Sequence, residues 1–302
     1  MTSARPLQRL PVRRRAILRD RLDELVSTFD RRHLTPDPLE LALRYDNPLD
    51  QECAGLIAAA FAYGRADLVV DHAGDVLARM GSSPFRYLKE EFARKEATRR
   101  FHGFAHRFHK TPELVALLAH ISASLRRHGS LGALFQSCYV ASDDDIGPSL
   151  VRFVESLTVP CDRCDESPAE RRAVAYLVSS PRDGSACKRM NLFLRWMVRS
   201  EVPDLGLWSF VDPAKLVIPL DTHIHRIATF LGLTQRRSAD WKTARSVTDA
   251  LAAFNRRDPV RYDFALCRLG ILDLCSRKRR KENCDVCLLR DVCRFPVIEE
   301  RS

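Results

Sequence analysis

Asp221, Lys188 and four cysteines near the C-terminus are the residues whose types and surroundings suit chemistry. Asp221 lies in Val217-Ile218-Pro219-Leu220-Asp221-Thr222-His223-Ile224-His225-Arg226-Ile227, just before apolar residues at Ile224, Ile227, Ala228 and Leu231. That spacing predicts a helix with Asp221 as its N-cap, its carboxylate accepting backbone N–H groups that have no partner inside the helix. The positive end of the helix dipole favours a negative side chain there. An aspartate before a helix is ordinarily only a cap, so its meaning depends on what else the chain supplies.

The chain supplies an amine and a set of thiols. Lys188 follows the turn cluster Ser180-Pro181-Arg182-Asp183-Gly184-Ser185 and opens a segment with Met190, Phe193, Leu194 and Met197 on one face. Lys188, Arg195 and Arg199 fall on the opposite face, which the spacing predicts to be polar. A cation is disfavoured in the first turn of a helix, and a neutral amine in a pocket is what Schiff-base chemistry needs. A solvated lysine is the alternative reading of the same spacing. The cysteines run Cys275-x8-Cys284-x2-Cys287-x5-Cys293, four thiols within nineteen residues. Such a set suits a cubane iron–sulfur cluster or a tetrahedral zinc; the single tight pair leans to iron–sulfur, because zinc sites usually use two. Between the first two cysteines lies Arg277-Lys278-Arg279-Arg280-Lys281. A basic loop pinned at both ends presents cations to phosphates at little ordering cost.

The elements that position these residues read as helices throughout. Leu18, Leu22, Leu25 and Phe29 share a face over 16–29, and residues 50–62 are apolar and small enough for a buried helix. Tyr63-Gly64-Arg65 breaks that helix, and a second follows through Leu68, Val69, Val76 and Met80 to Gly81. Thr111-Pro112-Glu113 opens another, closed by Gly129. Residues 141–170 read as helix interrupted by loop, and Cys161 and Cys164 there are a metal or redox pair or ordinary thiols. Asp258-Pro259 starts a helix with Val260, Phe264, Cys267, Ile271 and Leu274 on one stripe. Without convincing strand alternation or repeats, the fold class is all-α.

A chain of 302 residues with 45% hydrophobic and 29% charged residues has the composition of a soluble globular protein. Its net charge of +10 favours an anionic partner such as nucleic acid. The Arg-rich first residues lack the apolar core of an export signal, and no apolar run is long enough to span a bilayer. A cytoplasmic, nucleoid-associated location is expected, where cysteines serve as metal ligands more readily than as disulfides.

Leu220–Phe295 resembles the helix-hairpin-helix DNA glycosylase superfamily, in particular the iron–sulfur branch typified by endonuclease III. Asp221-Thr222-His223-Ile224-His225-Arg226 is similar to the motif with the catalytic aspartate of that superfamily, and Leu269-Gly270 with the four cysteines to its cluster-binding tail. Gly184-Ser185-Ala186-Cys187-Lys188 is similar to the hairpin glycine and catalytic lysine of bifunctional members. Ala62-Tyr63-Gly64-Arg65-Ala66-Asp67 is similar to the helix corner that enters the DNA minor groove. The hairpin lacks the glycine-rich Leu-Pro-Gly-x-Gly, and the first cysteine gap is wider than in that branch. The 33 positions from Lys188 to Asp221, and Lys188-x-x-x-x-Phe193-Leu194-Arg195, are closer to the archaeal 8-oxoguanine glycosylases.

The resemblance implies two helical lobes, 47–218 and 1–46 with 219–302, and DNA in the cleft between them. It implies base excision repair by a DNA glycosylase and abasic-site lyase, with Asp221 and Lys188 catalytic. Tyr63, Gly64, Arg65, Gly184, Ser185, Arg277, Lys278, Arg279, Arg280 and Lys281 would contact DNA. Cys275, Cys284, Cys287 and Cys293 would hold a [4Fe-4S] cluster, zinc being the alternative. The implied partner is double-stranded DNA with a damaged base, bound by a monomer. A non-catalytic iron–sulfur or zinc nucleic-acid binder on the same scaffold is the competing expectation.

Overall fold

The computed structural model describes residues 11–159, 166–276 and 280–294. Helix dominates them, and the sheet among them is one two-stranded ribbon, Ala105–His106 paired antiparallel with His109–Lys110. The ribbon is absent from the sequence expectation because two residues per strand leave no alternation to read.

The predicted helices form where the stop and start signals stand. Val12–Thr28 buries Leu18, Leu22 and Leu25. Asn47 caps Pro48–Ala60 through Leu49 N at 2.9 Å, and that helix is buried from Cys53 to Ala60. Ala66–Met80 ends on Gly81, and Thr111–His128 on Gly129, both glycines at positive φ that a side chain would strain. Small residues let the buried helix meet the lysine helix, Lys188–Val198, closely: a Cβ on Gly55 would stand 3.0 Å from Met197 Cε.

Two expectations change and two are refined. The lysine helix has no solvated face beyond its first residue, because Arg189–Val198 are all buried and Arg195 and Arg199 are taken up in internal ion pairs. Within 141–170, read as helix interrupted by loop, Gly147-Pro148 opens an 11-residue helix, Gly147–Leu157, with proline in the first turn where its missing N–H costs nothing. The stripe from Val260 ends early: the helix is Asp263–Ile271 and Leu274 is exposed. Helix begins at Pro259, as the short turn Pro259–Tyr262, and the Asp258 side chain pairs with Arg199 at 2.9 Å without capping it. Cys161 and Cys164 lie outside the described residues.

The two ends of the chain meet. Tyr262 Oη donates to Asp23 Oδ1 at 3.2 Å, Arg14 donates to the carbonyl of Val292 at 2.6 Å, and Arg21 pairs with Asp291 at 2.9 Å. The first helix therefore rests on the elements that follow Asp221 in sequence, while the lysine helix rests on Pro48–Ala60.

Candidate active site

Asp221 caps Thr222–Leu231 as its surroundings predict, Oδ1 accepting from Ile224 N at 2.8 Å. A cap of this kind is worth about 1 kcal/mol to the helix, and it commits one carboxylate oxygen. The other, Oδ2, lies 3.8 Å from Cys267 Sγ. Lys188 is the first residue of its helix, after Cys187 in the left-handed region at φ 49°. Its Nζ donates to the carbonyl of Ala62 at 2.9 Å.

Both side chains line one cleft of about 500 Å³, and Gly64 and Arg65 form part of its wall. Small-molecule and cofactor pockets fall in the range of about 300–1,000 Å³, so the cleft has room for a base-sized group. Thirty-three positions of sequence thus close into one cavity. Cys267 stands between them in the electrostatic sense: burial pushes its thiol up strongly, Asp221 and Asp263 push it further, and Lys188 pulls the other way. Held protonated, the thiol donates toward Asp221 Oδ2.

Buried charges form the floor. Arg195 is 2% exposed and pairs with Asp263 and, at 3.1 Å, with Asp204; Arg199 pairs with Asp204 and Asp258. Arg268, fully buried, pairs with Asp37 at 2.6 Å and donates to the carbonyls of His33, Leu34 and Pro36. Burial pushes Asp263 up to about 6 against the pull of Arg195, and the carboxylates of Asp221 and Asp204 add to the rise. Burial lowers Arg195, but its three acidic neighbours more than offset that and keep the guanidinium charged. Asp37, Arg195, Asp263 and Cys267 all line the cleft. Sequence reasoning placed none of the three ionic groups there and put Cys267 in an apolar stripe. The available signal was the i, i+4 spacing of Asp263 and Cys267, which puts both on one helix face.

The remaining candidates sit around this centre. At the Tyr63-Gly64-Arg65 corner, Gly64 and Arg65 are exposed, with Arg65 paired to Asp67. Tyr63 is half-buried, its hydroxyl shared between His109 Nδ1 and the carbonyl of His106. Gly184, at φ 72°, and Ser185 occupy a loop tied to Asp240-Trp241: Trp241 N donates to Gly184 O at 3.1 Å, and Ser185 bridges Asp240. Neither is among the residues lining the cleft. Arg280 and Lys281 are exposed, Arg280 pairing with Asp273 at 2.5 Å; Arg277, Lys278 and Arg279 lie outside the described residues.

The four cysteines share the C-terminal corner. Burial raises Cys275 and Cys287, and the charges of Cys287 and Cys293 act on Cys275 while those of Cys293 and Cys284 act on Cys287. Arg226 donates to the carbonyl of Cys275 and offsets negative charge there. Among the described residues no three His, Cys, Asp or Glu side chains are drawn together as an ion would require. The donor set nonetheless suits iron–sulfur or zinc in kind, four thiols that feel one another's charge beside a cation.

Across the described residues no helix is long and apolar enough to cross a membrane. A family model described as a protein of unknown function, DUF2400, matches residues 37–272, a span that holds Lys188, Asp221 and Cys267 and stops before Cys275. No curated protein and no solved structure matches the chain.

Proposed function

This chain belongs to the DUF2400 family, described as of unknown function, and from the geometry of its cleft we propose that it is a DNA glycosylase with abasic-site lyase activity. The observation that carries the reading is that Lys188 and Asp221, far apart in sequence, line one cleft of about 500 Å³. In this reading residues 47–218 form one lobe, 1–46 with 219–302 the other, and damaged duplex DNA lies across the groove between them. A target base is swung out of the stack into the cleft, at a cost of a few kcal/mol.

Breaking the N-glycosidic bond leaves positive charge on the sugar, and the carboxylate of Asp221 stabilises that charge. The departing base takes the bonding electrons and is protonated as it leaves. Lys188 passes a proton to Asp221 or to water and attacks the anomeric carbon as the free amine. The hydrogen bond to Ala62 O holds Nζ at the cleft wall. Ring opening yields a Schiff base, and loss of a proton from the adjacent sugar carbon expels the 3′ phosphate by β-elimination. The Ile224 N–H on Oδ1 and the thiol of Cys267 facing Oδ2 hold Asp221 in its place. Cys275, Cys284, Cys287 and Cys293 would hold a [4Fe-4S] cluster, whose part would be structural, tying the basic loop down beside the phosphate backbone.

A panel of duplexes, each with one damaged base, tests the reading by release of free base. Wild-type protein is expected to release one class of base, and Asp221→Asn to do so roughly 10²–10³-fold more slowly. Full activity in Asp221→Asn would remove the catalytic assignment. A nucleic-acid binder without chemistry is the second reading, favoured by the engagement of Lys188 Nζ with Ala62 O. Release of no base from any duplex would select it.

A further inference from the structure

The ribbon that sequence reasoning missed carries the most exposed ring near the cleft. Its two-residue turn is Arg107-Phe108, joining the paired His106 and His109. Arg107 holds a positive φ of 55°, a conformation that tight hairpin turns require and non-glycine residues rarely adopt. Phe108 is 61% exposed, where an isolated phenylalanine gains nothing from burial.

Phe108 is not isolated. Its ring stacks on Tyr63 at 5.7 Å and 24°, and Tyr176, itself 44% exposed, meets both rings edge-on at 5.7 Å. His109 stacks on Tyr176, and Arg189 lies 4.2 Å from the Tyr176 ring and 5.2 Å from Tyr63. Tyr63 is clamped by His109 and the His106 carbonyl, so the stack beneath Phe108 is fixed. The tip also touches the cleft wall: a Cβ on Gly64 would lie 3.2 Å from Arg107 Cδ, and Gly64 lines the cleft with Lys188 and Asp221.

We propose that Phe108, backed by Tyr63 and Tyr176 and flanked by Arg107, is a stacking platform for an unpaired nucleobase beside the cleft. The inference rests on reading that cleft as the pocket for a flipped base. Two exposed rings are too small a patch for a protein partner, whose stable interfaces bury on the order of 1,000 Å² or more. They match one base, and the adjacent guanidinium and the net charge of +10 suit its phosphates.

Fluorescence anisotropy with a labelled duplex holding one tetrahydrofuran abasic-site mimic, and with the same duplex fully paired, tests the platform. Wild-type protein is expected to prefer the mimic duplex. Phe108→Ala should weaken that binding by roughly 5- to 100-fold, the range of one base–aromatic stack, and leave the paired duplex little changed. Phe108→Trp should restore binding and Phe108→Leu should not, because leucine keeps apolar area without a ring face. Thermal melts of the variants are expected to match wild type, since the ring is exposed.

Phe108→Ala within about twofold of wild type on the mimic, or Phe108→Leu equal to wild type, overturns the platform and leaves the cleft reading standing. Binding that depends on Phe108 without base release by wild type leaves the platform and removes the glycosylase. Failure of wild type to bind either duplex overturns both.

Discussion

The cleft and the cysteine corner both gather distant residues, but they are held together by different means. Around the cleft, helices of 9 to 15 residues pack into the core, and Arg195, Asp204, Asp263, Arg268 and Asp37 are locked in ion pairs inside that packing. The cysteine corner has a five-residue helix, Lys281–Asp285, and a single turn, Arg290–Val292, with only Leu289 and Val292 buried among 280–294. What ties it down is a few contacts to Arg14, Arg21, Arg226 and the carbonyl of Phe230. A segment with so little core needs a cross-link to hold one shape. The difference teaches that the cleft should persist without the thiols, whereas the corner should not.

Serine at Cys284 and Cys287 breaks the comparison most directly. On the proposed iron–sulfur reading, wild type carries iron with visible absorption, and the doubly substituted protein is expected to lack both and to be cut by protease between Cys275 and Cys293, while its main thermal transition changes little. Equal loss of both regions in one transition would show that the cleft leans on the corner. Arg195→Met attacks the other side. It leaves Asp204 and Asp263 buried without this partner, a change that typically costs about 3–5 kcal/mol and that urea unfolding would read. A cost below about 1 kcal/mol would mean that the floor is not held by its charges.

A pH titration of stability sharpens the same point with a smaller effect. Asp263 is raised from 3.8 to about 6 when folded, so folding takes up a proton between those values. Its contribution is fully present below about pH 4 and is lost as pH rises through 6. Asp263→Asn should flatten the stability curve across that window by on the order of 2 kcal/mol, relative to wild type. Parallel curves would mean that Arg195 keeps Asp263 ionised throughout.

The helices around the site were legible because their signals are local. Asp221 before Ile224 and Ile227 reads as a cap, and Gly81 and Gly129 end helices where their φ is positive. Lys188 and Asp221 were legible as a pair only through the family resemblance, since no local pattern states which loops close on each other. The ion-pair floor was not legible. Arg195 and Arg199 fall where a polar face would, and their acceptors come from two stretches outside the helix, Asp204 from one and Asp258 and Asp263 from the other. Gly270 shows the same limit, for its need is tertiary: a Cβ there would lie 2.6 Å from His223 Cβ on the crossing helix. The ribbon at Arg107-Phe108 escaped because a two-residue strand has no period.

Covalent capture measures the central claim, that an amine and a carboxylate converge on one sugar. Wild-type protein mixed with an abasic-site duplex and borohydride should give a DNA-linked species through Lys188 and resistant to denaturation. Lys188→Gln should give none, while Asp221→Asn, with its lysine intact, should form it slowly. No linked species from wild type, or an undiminished one from Lys188→Gln, would contradict the account.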